Sequence, residues 1–135
     1  MMGAVAVHLN HHIVHARDPE ASARWLAEML GVAAPTKFGP FDVVELDNGV
    51  SLDFIGTDDP TYLVPQHYAF LVSDEEFDQI YRRIVERGYD HWADPGRSIA
   101  GEINHHDGGK GVYWPDPDDH LLEIITRPYG SGSGS

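Results

Sequence analysis

The stretch Asp116-Pro117-Asp118-Asp119-His120-Leu121-Leu122-Glu123-Ile124-Ile125-Thr126 reads as a turn feeding a strand. Asp-Pro-Asp-Asp is turn chemistry. Leu121 to Thr126 is a short β-prone apolar run with a carboxylate in its middle. On a strand, Glu123 shares a face with Leu121 and Ile125, while Leu122, Ile124 and Thr126 take the other. Both faces are apolar, so this is no ordinary solvent-facing strand. A carboxylate held there either reaches water or pairs with a cation, because an unpaired buried charge is costly.

Outward from that strand, the chain reads as one order of elements used twice. Val5 to Ala16 begins as a strand, with His11, Ile13 and His15 on one face and His8, Asn10, His12, Val14 and Ala16 on the other. A one-residue slip would exchange His11 and His12. Asp18-Pro19-Glu20 opens a helix with a cap, a proline at its first position and an acid near its positive end. Trp25, Leu26, Met29 and Leu30 form its apolar stripe, and Gly31 stops it. Phe38 to Leu46, the turn Asp47-Asn48-Gly49 and Val50 to Ile55 follow hairpin grammar. After a polar linker over 56–65, Gln66 to Val72 is a strand. Ser73 and Glu76 form a capping box for a helix whose apolar positions are Phe77, Ile80, Ile84 and Val85. Tyr89 to Ala93 reads as a short strand, Asp94 to Gly111 as a long Gly/Asp/His-rich loop, and Gly111 to Trp114 as the strand before the opening stretch.

The chain is therefore read as α+β, with two tandem β-α-β-β-β modules over about 8–56 and 65–127 in a single domain spanning 1–129. Residues 130–135, Gly-Ser-Gly-Ser-Gly-Ser, have the composition of a flexible linker and are read as an appended tail outside the fold. Setting His11 on His67, and matching the closing turns and the strands that follow them, brings Asp53 onto Glu123. Each module thus offers one histidine on its first strand and one carboxylate on its last. That donor set suits one divalent ion of the Fe, Mn, Ni, Co or Zn group. His105, in the second module's long loop, is a candidate acid–base residue. Trp25, Met29 and Phe77 are assigned to the core, His120 to a turn, and the aspartates around Pro117 to turn chemistry rather than a calcium loop.

Composition excludes several classes. There are no cysteines, hence no disulfide, thiolate site or cysteine nucleophile. The net charge of −13 argues against nucleic acid and anionic membranes as partners. It accommodates a cation-binding interior, and equally serves solubility. No apolar run long enough to span a bilayer and no secretory leader is evident, so a cytoplasmic protein is expected.

Leu9-Asn10-His11, the helix start Asp18-Pro19-Glu20-Ala21-Ser22, Leu30-Gly31, His67-Tyr68-Ala69-Phe70 and Gly111-Val112-Tyr113-Trp114 with the closing Asp116–Glu123 run resemble the vicinal oxygen chelate superfamily. This superfamily holds glyoxalases, fosfomycin and bleomycin resistance proteins and extradiol dioxygenases. The resemblance spans residues 8 to 128. It implies a cupped, open mixed sheet around one metal ion per chain, a small-molecule substrate with neighbouring oxygens, and a homodimer. It carries metal ligation onto His11, His67 and Glu123, with Asp53 in the fourth position, where glyoxalases have Glu. Tyr113, ten residues before Glu123, matches the catalytic tyrosine position of extradiol dioxygenases. The expected activity is isomerase, lyase or dioxygenase chemistry. The alternative is a metal-free protein that sequesters an antibiotic or other small ligand, as bleomycin-binding members do.

Overall fold

The computed structural model describes residues 7–132, so Val5 and Ala6 of the expected first strand lie outside the described residues, and within them that strand runs only from His11. The chain divides into two compact units, 1–63 and 64–135. The first unit runs β1 (His11–Ala16), α1 (Pro19–Leu30), β2 (Thr36–Phe38), β3 (Phe41–Glu45) and β4 (Ser51–Gly56). Its sheet has the order β1-β4-β3-β2, with β1 parallel to β4 and the other pairs antiparallel. The second unit runs β5 (His67–Leu71), α2 (Asp74–Glu86), β6 (Gly111–Pro115) and β7 (Leu121–Ile125). Its sheet has the order β5-β7-β6, with β5 parallel to β7 and β6 antiparallel to it.

The local signals act as their chemistry demands. The Asp18 side chain accepts the Ala21 amide at 3.1 Å, and Gly31, at φ 73°, donates to the Ala27 carbonyl. The α2 capping box is complete: the Ser73 amide donates to Glu76 Oε1 at 2.8 Å and the Glu76 amide to Ser73 Oγ at 3.1 Å. Gly39-Pro40 breaks the first hairpin into β2 and β3, and Gly49, at φ 80°, turns β3 into β4.

Three details differ from the sequence pattern. The buried stripe of α1 is Ala23, Leu26, Ala27 and Met29, with Trp25 and Leu30 half-buried at its margins. Helix α1 packs on β1, β3 and β4, and small alanines let it approach closely. On α2, Phe77, Ile80 and Ile84 are buried while Val85 is exposed, one residue off the 3.6-residue stripe. The expected strand Tyr89–Ala93 contracts to bridges at Trp92, which exchanges both backbone hydrogen bonds with Tyr113 at 2.9 Å. Asp90, Asp94, Pro95 and Gly96 surround Trp92 and favour turns over an extended run.

In each sheet one face is buried and the other is more open. Val14, Ala16, Val44, Leu52 and Phe54 form the buried face of the first sheet. Phe70, Val112, Trp114, Leu122 and Ile124 form that of the second. His120 is more than a turn residue. It is fully buried; its Nδ1 accepts the Gln66 amide at 2.8 Å, and its own amide donates to Asp116 Oδ1. It thus ties the turn before β7 to the start of β5. Asp116 Oδ1 also accepts the Asp118 amide, so the aspartates do serve the turn.

Among the described residues, no helix is long and apolar enough to cross a membrane.

Candidate metal centre

The two units place their histidines and carboxylates by one rule. In the first, His11 stands opposite Ser51 and Ile13 opposite Asp53. In the second, His67 stands opposite Leu121 and Ala69 opposite Glu123. The histidine opens the first strand, and the carboxylate lies two residues along the parallel neighbour, on the same open face. The register also keeps His11, rather than His12, on the face shared with Ile13 and His15.

Each histidine is oriented through Nδ1. His67 Nδ1 lies 2.9 Å from the Leu121 carbonyl oxygen, and His11 Nδ1 lies 2.8 Å from Asn10 Oδ1. Both oxygens only accept, so each Nδ1 is the donor, and Nε2 is left to face a cation or carry a second proton. A hydrogen bond at one ring nitrogen that aims the other is the usual support of a metal-ligating histidine.

His67 Nε2 is 3.2 Å from Glu123 Oε1. With Nδ1 protonated, this sets a nitrogen lone pair against a carboxylate oxygen, an arrangement that requires a cation: a second proton on the ring or a metal ion. The spacing fits adjacent ligands on one ion, since bonds of about 2.1 Å at right angles span about 3.0 Å. Glu123 is only 1 % exposed, whereas the His67 ring is partly open to solvent. The carboxylate is therefore poorly hydrated and gains more from a bound cation than a surface acid would.

Tyr113, opposite Glu123 on β6, and Tyr129, beyond β7, complete this group. The Tyr129 hydroxyl lies 2.7 Å from Glu123 Oε1 and 2.8 Å from Oε2, and donates to the carboxylate. The Tyr113 and Tyr129 hydroxyls are 3.2 Å apart, and the Tyr113 ring lies 5.9 Å from the His67 ring. Burial pushes the Tyr113 phenol well above the usual tyrosine range, and its bonds to Tyr129 and Glu123 add to the shift. Tyr129 moves the same way, chiefly through burial. Both phenols are proton holders at neutral pH. Tyr129 carries no sequence signal of its own; it follows a strand end and precedes the Gly/Ser run.

Asp53 is turned differently. Its Oδ1 accepts the Ser51 hydroxyl at 2.7 Å. His105 stays with its own loop, donating from Nδ1 to the Gly109 carbonyl at 3.1 Å, and bonds neither Glu123 nor Tyr113. Within each unit, no three His, Asp or Glu side chains converge among the described residues; the second supplies the His67–Glu123 pair.

A cavity of about 450 Å³ in the first unit lies on the helix side of its sheet, lined by Glu20, Arg24, Lys37 and Asp42 among others. Its charges satisfy one another, Arg24 with Glu20 and Lys37 with Asp42, both at 2.8 Å. Its Glu20 and Asp42 carboxylates are already neutralised by cationic side chains, so the chemistry is assigned to the open faces.

Residues 8–124 match the Glyoxalase/Bleomycin resistance protein/Dioxygenase superfamily model. A solved structure named Oxidase ChaP-H1 is 67 % identical, with TM-score 0.89, over 93 % of this chain and 99 % of that one. Another, Oxidase ChaP-H2, is 54 % identical, with TM-score 0.91, over 96 % and 100 %. Among curated proteins, "Metallothiol transferase FosB" of Shouchella clausii (strain KSM-K16) is 40 % identical over 60 residues, 44 % of this chain and 37 % of that protein. That match thus spans little more than a third of the curated relative's length.

Proposed function

This chain belongs to the Glyoxalase/Bleomycin resistance protein/Dioxygenase superfamily, and we propose that it is a divalent-metal-dependent enzyme that oxidises a small molecule bearing two neighbouring oxygens. The observation that carries this reading is His67 Nε2 standing 3.2 Å from the buried Glu123 carboxylate while the Leu121 carbonyl holds Nδ1. The 67 % and 54 % identical oxidases favour oxidation, with dioxygen as the electron acceptor, over isomerisation or lysis.

In this proposal His67 and Glu123 are the second unit's ligands to the ion, and His11 and Asp53 are the corresponding donors of the first. The bound ion supplies Lewis acidity and a point of attachment for adjacent substrate oxygens. The chain's own residues do the rest. The Leu121 carbonyl and the Asn10 side chain hold the two imidazoles in the ligating tautomer. The Tyr113 phenol, kept protonated by burial, hydrogen-bonds a substrate oxygen or gives up a proton there. His105, tied to Gly109, would have to leave its loop to act as acid or base, so Tyr113 takes the proton-handling role. A homodimer is part of the proposal, and sedimentation tests it.

Elemental analysis of protein purified without a histidine tag, beside a His67→Ala/Glu123→Ala double variant, tests the reading. About one iron per chain, absent from the variant, with oxygen uptake on catechol-like or α-hydroxycarbonyl compounds, is expected. Nickel, zinc or manganese without oxygen uptake would move the reaction to isomerisation or lysis. No metal in either protein after reloading would replace the enzyme by a ligand-sequestering protein.

A further inference from the structure

We propose that residues 128–132 form a strap that latches onto Asp107 and sets the Tyr129 hydroxyl in competition with a divalent cation for the Glu123 carboxylate. The inference rests on Glu123 being a metal ligand. The Tyr129 oxygen, at 2.7 and 2.8 Å from the two carboxylate oxygens, sits near the carboxylate bisector. A cation gripping both oxygens would need that place. With Tyr129 there, an ion has a single oxygen to bind; with the strap open it has two. Tyr129 is 64 % exposed while its hydroxyl reaches a carboxylate that is 1 % exposed, so withdrawing it uncovers little apolar surface.

The latch is specific, and it joins to the fold Gly130 and Gly132, which composition alone places in a tail outside it. Asp107 Oδ2 accepts the Gly130 amide and Oδ1 the Gly132 amide, both at 3.1 Å. Within the strap, the Ser131 amide and hydroxyl both donate to the Pro128 carbonyl, at 3.1 and 2.6 Å. A Cβ on Gly132 would lie 2.5 Å from Asp107 Cα, so this approach needs glycine. Asp107 itself has φ 57°, which Asp and Asn tolerate and Gly favours. These are exposed or part-buried bonds that open readily, so occupancy of Glu123 by a cation and opening of the strap are coupled in both directions.

The test titrates metal-stripped full-length protein with Mn(II), reading free Mn(II) by electron paramagnetic resonance. Tyr129→Phe keeps the ring and removes the competing hydroxyl; it should bind Mn(II) about 3- to 10-fold more tightly, the worth of one hydrogen bond. Asp107→Gly, which removes the latch at a φ that glycine accepts, should shift affinity the same way. In the wild type, amide exchange at residues 130–132 should quicken at saturating Mn(II). Glu123→Gln separates the two layers. If it binds Mn(II) as the wild type does, Glu123 is no ligand and the strap proposal falls with that reading. If Glu123→Gln loses binding while Tyr129→Phe weakens or leaves it unchanged, the ligand reading stands and the strap is overturned, Tyr129 then orienting the carboxylate instead.

Discussion

The first and second units solve one geometric problem with different side chains. Both put a histidine at the head of the first strand and a carboxylate two residues along its parallel neighbour. In the second, the residue opposite the histidine is Leu121, whose only polar offering is a backbone carbonyl, and that carbonyl aims His67. In the first it is Ser51, whose hydroxyl takes an oxygen of Asp53. Glu123 reaches one methylene further than Asp53, is almost completely buried and meets a histidine and a tyrosine. Equal register thus does not give the two carboxylates equal surroundings. The neighbour directly across the strand, and one carbon of reach, decide which groups each carboxylate meets.

The comparison can be broken or sharpened by mutation. Phe54 and Ile124 hold matching register positions, opposite Val14 and Phe70, and are fully buried. Phe54→Ala should cost about 3–5 kcal/mol and Ile124→Ala about 2–5 kcal/mol, read by urea unfolding; a near-neutral result at either would end the structural equivalence. Next in size, Glu123→Gln should weaken Mn(II) binding by more than about 100-fold, beyond what loss of a supporting residue costs. Asp53→Asn should weaken it by less than about 10-fold, and equal losses in equilibrium dialysis would make the two carboxylates equivalent after all.

A third test uses alkali. The Tyr68 phenol is pushed well above its ordinary value of 10.0, first by burial and then by Asp116 and Asp118. A raised folded pKa favours the protonated form. Its stabilisation is therefore complete below pH 10, the unfolded value, and is lost as pH rises above it. Wild type should lose about 1 kcal/mol through this group between pH 9 and 11, and Tyr68→Phe should show a shallower fall in Tm over that range. The smallest effect is expected of Ser51→Ala. Freed of the hydroxyl, Asp53 should tighten Mn(II) binding by about 2- to 3-fold, part of one hydrogen bond's worth; weaker binding would mean that Ser51 orients Asp53 rather than diverting it.

Much of this was legible in the chain itself. The Asp18 cap, the Ser73–Glu76 box, Gly31 and the Asn48-Gly49 turn are short-range signals, and their hydrogen bonds close within a few residues, so local chemistry determined them. The duplication and the pairing of Asp53 with Glu123 followed from order and spacing, and the strand registers repeat them. Tertiary structure alone decided what each polar group meets. Ser51 on Asp53 is a contact two residues along a strand, where only the side-chain rotamers bring the groups together. His120 tied to Gln66 joins positions 54 residues apart. Trp92 clasps Tyr113 from an irregular loop that no periodicity describes. Tyr129 reaches Glu123 from beyond β7, and beside it Asp107 accepts the amides of Gly130 and Gly132, which leave no mark in a sequence. Periodicity and caps determine elements because their partners are near in the chain; what surrounds Glu123 depends on His67 and Tyr113, which only folding brings near.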